Sequence, residues 1–196
     1  MTKIKICGIK NQTVIPVLNQ LLPDYVGFVF AKSSRQVTLE QAAELKGSLD
    51  SRIQTVAVVT EFMTNLFEKL AKKRIVENVQ LHLPLTAQQL YWLQQLGFNV
   101  FQVVKPNQRR FLQAQYWMFD AQQPGSGKLA DWNEIDARQH PFILAGGLAP
   151  QNVAAAIRKL HPTVVDVSSG VETNGQKDPQ KIKEFIRSVR NADKSN

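Results

Sequence analysis

Eight short apolar or β-branched runs in this chain end at, or just short of, a residue that is small or carries chemistry: Cys7, Lys32, Thr60, His82, Lys105, Asp120, Gly146 and Ser168. Cys7 is the lone cysteine, and a thiol at a strand end can serve as nucleophile, as proton acceptor, or as an inert buried group. A nearby lysine would favour its thiolate. Asp120 closes the strongly apolar Tyr116-Trp-Met-Phe-Asp. Burial there would raise the carboxyl pKa and keep it able to donate a proton, whereas the plainer reading is a loop aspartate capping the turn before Gln122.

Gly146-Gly147-Leu148-Ala149-Pro150 follows the seventh run and opens a helix, so its amides can meet an anion with no side chains in the way. Ser168-Ser169-Gly170 follows the eighth run in the same manner. Either glycine-containing loop alone reads as a tight turn, but two on consecutive strands read as a phosphate site. His82 ends Val79-Gln-Leu-His, with Gln80 sharing its inward parity. The other histidines, His140 and His161, stand at no strand end, so no histidine metal site is expected and His82 is read as a hydrogen-bonding or substrate-positioning group.

Such residues converge only if the runs are strands of one sheet. The runs are Ile4 to Cys7, Tyr25 to Phe30, Gln54 to Val59, Asn78 to His82, Asn99 to Val104, Tyr116 to Phe119, Phe142 to Ala145 and Val164 to Val167. Helical periods lie between them at Leu39 to Leu49, Thr64 to Lys73, Ala87 to Leu96, Pro150 to Leu160 and Pro179 to Val189. Thr38, Thr86 and Pro150 supply start signals. Short helices are expected around Asn107 to Ala114 and Asp131 to Arg138, and a frayed polar tail over Asn191 to Asn196.

Alternating strands and helices admit an open doubly wound sheet or a closed (β/α)8 barrel. Parity chooses between them. Lys3, Lys5 and Cys7 share one face of the first strand while Ile4 and Ile6 share the other. An open sheet would bury Lys5 under a helix, whereas a barrel can place it inside, opposite Asp166 of the last strand; the plainer alternative has Lys5 pointing to solvent at a strand margin. The expectation is therefore an α/β fold, a closed TIM barrel forming a single domain over residues 1–196.

The chain has 196 residues, 43% hydrophobic, enough for a core without disulfides. One cysteine excludes an internal disulfide framework and a cysteine-based zinc site. No segment reads as a signal peptide or membrane span, so a soluble cytoplasmic protein is expected. The net charge of +8 favours an anionic partner. Its densest basic clusters, Lys72-Lys73-Arg74 and Arg109-Arg110, have no interleaved aromatic residue, which argues against nucleic acid.

Lys3-Ile-Lys-Ile-Cys-Gly-Ile9, Gly27-Phe-Val-Phe30 with Ser34-Arg35 beyond it, Val79-Gln-Leu-His82, Asp120 with Gly125-Ser-Gly-Lys128 and Asp131-Trp132, Ala145-Gly-Gly-Leu148 and Asp166-Val-Ser-Ser-Gly-Val-Glu172 run in order from first strand to last. Together they resemble the phosphoribosylanthranilate isomerases of tryptophan biosynthesis. The resemblance implies an Amadori rearrangement of N-(5-phosphoribosyl)anthranilate to 1-(2-carboxyphenylamino)-1-deoxyribulose 5-phosphate, without cofactor or metal. It assigns Asp120 as general acid and Cys7 as general base, matches Arg35 to the anthranilate carboxylate, and matches Gly146, Gly147, Ser168, Ser169 and Gly170 to the phosphate loops. The chemistry also asks for such a pair, since ring opening needs a proton given to oxygen and the next step one taken from carbon. Leu83 stands where the family usually has glycine, the stretch before Arg35 is one residue short, and Pro124 replaces a common glycine. Other readings are a different phosphosugar isomerase or indole-pathway relative on the same barrel, and a noncatalytic phosphometabolite-binding protein. A monomer and a homodimer fit the sequence equally.

Overall fold

A computed structural model describes residues 1–104, 112–120 and 140–195. Its centre is a closed parallel barrel of eight strands in sequence order: β1 Lys3–Cys7, β2 Tyr25–Val29, β3 Gln54–Val59, β4 Asn78–Leu81, β5 Asn99–Val103, β6 Tyr116–Phe119, β7 Phe142–Leu144 and β8 Val164–Val167. Closure is made by β1 on β8, in a register that sets Lys5 beside Asp166. Around it lie α1 Ile15–Leu21, α2 Leu39–Ser48, α3 Thr64–Lys73, α4 Ala87–Gln95, α5 Val153–Leu160 and α6 Pro179–Lys194. A short hairpin, β9 Glu172–Thr173 with β10 Gln176–Lys177, leads into α6.

Strand parity sorts the side chains into two cores. Ile4, Ile6, Val26, Phe28, Val79, Leu81, Val165 and Val167 face the helices. Tyr25, Val56, Val58, Phe101, Tyr116, Met118, Ile143 and Val164 fill the barrel. Its lower end is plugged by aromatic rings, with Phe101 edge-on to Tyr25 at 5.5 Å and to Tyr116 at 5.2 Å. Buried polar groups, Lys5, Gln80 and Asp166 among them, stand above that plug, towards the cavity at the C-terminal ends of the strands.

Thr38 and Thr86 both form capping boxes, with Gln41 and Gln89, where the sequence placed helix starts. The start expected at Pro150 is displaced to Val153. Asn152 is the reason: its Oδ1 accepts from the Ala149 amide at 2.8 Å and its Nδ2 donates to the Gly147 carbonyl at 2.9 Å, holding this segment as a loop. The frayed tail expected from Asn191 is also corrected. Helix α6 continues to Lys194, buries Ala192, and clasps the N-terminus through Asp193, which accepts from Thr2 N at 2.9 Å and Thr2 Oγ1 at 2.7 Å. The short helices expected near 107–114 and 131–138 lie outside the described residues, save that 112–114 is not helical. No helix among the described residues is long and apolar enough to cross a membrane.

Candidate active site

The strand ends converge on one cavity of about 270 Å³, whose walls include Cys7, Arg35, His82, Asp120, Gly146, Gly147, Asp166, Ser168 and Ser169. Cys7 and Asp120, 113 positions apart in sequence, thus face the same space from β1 and from the end of β6. Lys32 and Thr60 line it as well, while Lys105 and the loop segments 121–139 lie outside the described residues. Lys5 sits below the cavity, fully buried, with Nζ 3.0 Å from Asp166 Oδ2.

Glycine is forced at three points around this floor. A Cβ on Gly27 of β2 would stand 2.8 Å from Cys7 Sγ, 3.1 Å from Cys7 Cα and 3.2 Å from Lys5 Nζ. Gly8 has φ +81°, and a Cβ there would meet Arg35 Cδ at 2.7 Å. The Cys-Gly pair of the opening motif therefore lets Arg35 lie across the end of β1. Gly170 does not line the cavity; a Cβ on it would overlap the Leu148 carbonyl oxygen, so its role is to let the loops after β7 and β8 pack together. Gly146 and Gly147, at φ +85° and +65°, complete the paired loops.

Arg35 reaches the rim already engaged. Its Nε and Nη2 donate to Glu172 Oε1 and Oε2 at 2.8 and 2.7 Å, a two-point fork. Glu172 Oε1 also accepts from Lys177 Nζ at 2.6 Å, and Lys177 donates to the Ser168 carbonyl at 2.8 Å. Ser168 Oγ in turn donates to the Cys7 carbonyl at 3.2 Å. The hairpin β9–β10 thus ties Arg35 to the loop after β8 and to the end of β1. Sequence reasoning assigned no role to Glu172, Lys177, Gln80 or Gly27; only the inward parity of Gln80 with His82 hinted at one of them.

The electrostatics follow from this packing. Burial pushes the Cys7 thiol up, and the neighbouring Lys5 ammonium pulls it back only in part, so its pKa stays above the usual thiol value. Burial pushes Lys5 down, but Asp166 and Cys7 prevail and hold it above the ordinary lysine value, fully charged. His82 is lowered to about 4 by burial and then by Lys5, and is a neutral ring whose Nε2 lies 2.8 Å from Gln80 Nε2. Burial pushes Glu172 up, yet hydrogen bonds from Arg35 and Lys177 bring it down to about 2. No cluster of metal-ligating side chains occurs among the described residues.

Fold and site together are those of a (β/α)8-barrel enzyme, with a thiol and a carboxyl facing one cavity at the C-terminal rim. Residues 4–188 match the family described as N-(5'-phosphoribosyl)anthranilate (PRA) isomerase. The isomerase of that name from Lactiplantibacillus plantarum is 40% identical over 190 residues, covering 95% of this chain and 91% of the relative. Among solved structures, TrpF from Jonesia denitrificans superposes with a TM-score of 0.85 at 32% identity, covering 98% of each chain. A phosphoribosyl anthranilate isomerase solved in complex with reduced 1-(o-carboxyphenylamino)-1-deoxyribulose 5-phosphate superposes at 0.78 with 28% identity, covering 97% of this chain and 100% of that one. The chain belongs to the N-(5'-phosphoribosyl)anthranilate isomerase family.

Proposed function

We propose that the protein converts N-(5-phosphoribosyl)anthranilate to 1-(2-carboxyphenylamino)-1-deoxyribulose 5-phosphate in tryptophan biosynthesis, with Asp120 as general acid and Cys7 as general base. The observation that carries this reading is the convergence of Cys7 and Asp120 on one cavity beside the two glycine loops. Asp120 gives its proton to the ribose ring oxygen as the C1–O bond breaks, and the anilino nitrogen lone pair forms the C=N bond of the cationic Schiff base. Cys7, as thiolate, removes the proton from C2; that electron pair becomes the C1–C2 double bond and neutralises nitrogen. The enolamine then loses its hydroxyl proton and gains one at C1, giving the ketone. Both steps are proton transfers, so no redox cofactor enters the balance.

The substrate is small, phosphorylated and anionic. Amides of the loops holding Gly146, Gly147, Ser168 and Ser169 receive the phosphate, with Gly170 keeping those loops together. Arg35 meets the anthranilate carboxylate with the guanidinium nitrogen that Glu172 leaves unused. His82, neutral, orients rather than titrates. Lys5 and Asp166 support the site from below. The test follows loss of phosphoribosylanthranilate fluorescence with wild type, Cys7→Ser and Asp120→Asn. Each substitution cuts turnover by about a hundredfold or more, while the product analogue still binds. Near-normal turnover in either variant reassigns that residue, and wild type that binds the analogue without turnover supports a noncatalytic binding protein.

A further inference from the structure

Lys177 carries a buried ammonium to which the proton transfers assign no task. Its side chain is 5% exposed, yet it does not line the cavity. A charge at that depth needs partners, and an ammonium can only donate. Its three donors are all used, on Glu172 Oε1 at 2.6 Å, the Ser168 carbonyl at 2.8 Å and Ser168 Oγ at 3.3 Å. Two of the three acceptors therefore belong to one residue of the loop after β8.

The direction of these bonds follows from the groups themselves. Because Ser168 Oγ accepts from Lys177, its own proton is left for the Cys7 carbonyl, 3.2 Å away. That hydroxyl then has no proton to offer a phosphate, which is met by loop amides instead. The register of β8 on β1, pairing Val167 with Ile6, brings Ser168 alongside Cys7. Gly8 permits the contact, since a Cβ there would stand 3.3 Å from Ser168 Oγ. The ammonium thus holds the Ser168 loop, which faces the cavity, against the strand end that carries the thiol. Its charge also favours the thiolate, though less than that of Lys5.

We infer that Lys177 is a positioning residue: from behind the cavity wall it fixes the loop that receives the phosphate against the end of β1, so that a phosphate held there sets Cys7 at its reacting carbon. This rests on the isomerase reading above and adds to it a residue that acts through Ser168. The phosphate, remote from the bonds that change, then contributes to the proton transfer itself, because binding energy far from the reacting centre is used for orientation there. A clamp that only held the hairpin would contribute to folding alone.

The test follows, by loss of fluorescence, turnover of N-(5-phosphoribosyl)anthranilate and of its phosphate-free counterpart N-ribosylanthranilate, with wild type and Lys177→Met. The ratio of the two kcat/KM values measures what the phosphate contributes to the transition state. A purely structural clamp lowers both substrates alike and leaves the ratio unchanged. Positioning shrinks the ratio by about tenfold or more, and kcat for the phosphorylated substrate falls more than KM rises, because the loop amides still hold the phosphate. Lys177→Met leaves Glu172 in its fork with Arg35, so no buried charge is abandoned. Should that variant not fold, Ser168→Ala, which removes the hydroxyl link and keeps the amides, is read in the same way. Should the phosphate-free substrate turn over too slowly to follow, the split between kcat and KM decides, and a loss confined to KM overturns the assignment. Wild type that does not turn over the phosphorylated substrate overturns the isomerase reading. Wild type that does, with the ratio unchanged in the variant, overturns this inference alone.

Discussion

Glu172→Gln gives the sharpest test of the rim. The glutamate takes two hydrogen bonds from Arg35 and one from Lys177, and its side chain is 8% exposed. Its pKa falls from the ordinary 4.5 to about 2 in the folded chain. A shift of that size corresponds to about 3 kcal/mol if taken in full, and solvent screening at the open side of the rim trims it to about 2 kcal/mol. Because the folded pKa is depressed, the contribution is complete above the unfolded value, near 4.5, and is lost as pH falls through about 2. Urea denaturation of wild type and Glu172→Gln should therefore differ by about 2 kcal/mol at pH 7 and by about 1 kcal/mol near pH 3.5. The same variant frees the Arg35 guanidinium from its fork, so KM for the carboxylate-bearing substrate changes more than kcat. A stability gap that does not shrink with pH, or a gap at pH 7 below the resolution of the denaturation curves, refutes the ion-triad account.

The remaining predictions concern the thiol, the floor and the C-terminus. With Cys7 held above the usual thiol value, kcat/KM should rise about tenfold per pH unit through the neutral range, as should alkylation of Cys7 by iodoacetamide; a plateau reached below pH 7 contradicts this. His82, at about 4, should contribute no step between pH 5 and 8, which NMR of its ring protons would show directly. Gly27→Ala forces a Cβ against the Cys7 backbone, costing about 1–3 kcal/mol and displacing the sulfur; turnover should drop at least tenfold, and wild-type turnover would show that β1 yields freely. Asp193→Ala removes both bonds to Thr2 and should cost about 2 kcal/mol, lowering Tm by about 4 to 8 °C with KM unchanged.

What the sequence disclosed and what it withheld divide along a physical line. Within strands, a period of two fixes the direction of each side chain, so the inward facing of Lys5, Cys7 and Asp166 was legible from residue order alone. The runs Gln54–Val59, Tyr116–Phe119 and Val164–Val167 coincide with β3, β6 and β8 for the same reason. Threonine caps marked α2 and α4 because their partner glutamines stand three positions on. Pro150 misled, since proline is compatible with a first helical turn but does not require one, and the side-chain bonds of Asn152 won. The tail misled because composition reports polarity, while the clasp of Asp193 on Thr2 joins residues 191 positions apart.

The same division explains why the rim was the least legible part of the site. Glu172 and Lys177 sit on a hairpin whose strands are two residues each, too short for periodicity to assign a facing direction, and their partners Arg35 and Ser168 come from other loops. Lys5 and Asp166 cancel inside the barrel, whereas Arg35 and Lys177 share a single glutamate, so this triad by itself carries one net positive charge. Were Glu172 absent, two cations would repel across a few ångströms and the Arg35 fork would have no fixed direction. With it, the triad keeps one uncompensated positive charge and a guanidinium whose direction is already fixed, which lowers the cost of ordering that group around an anion.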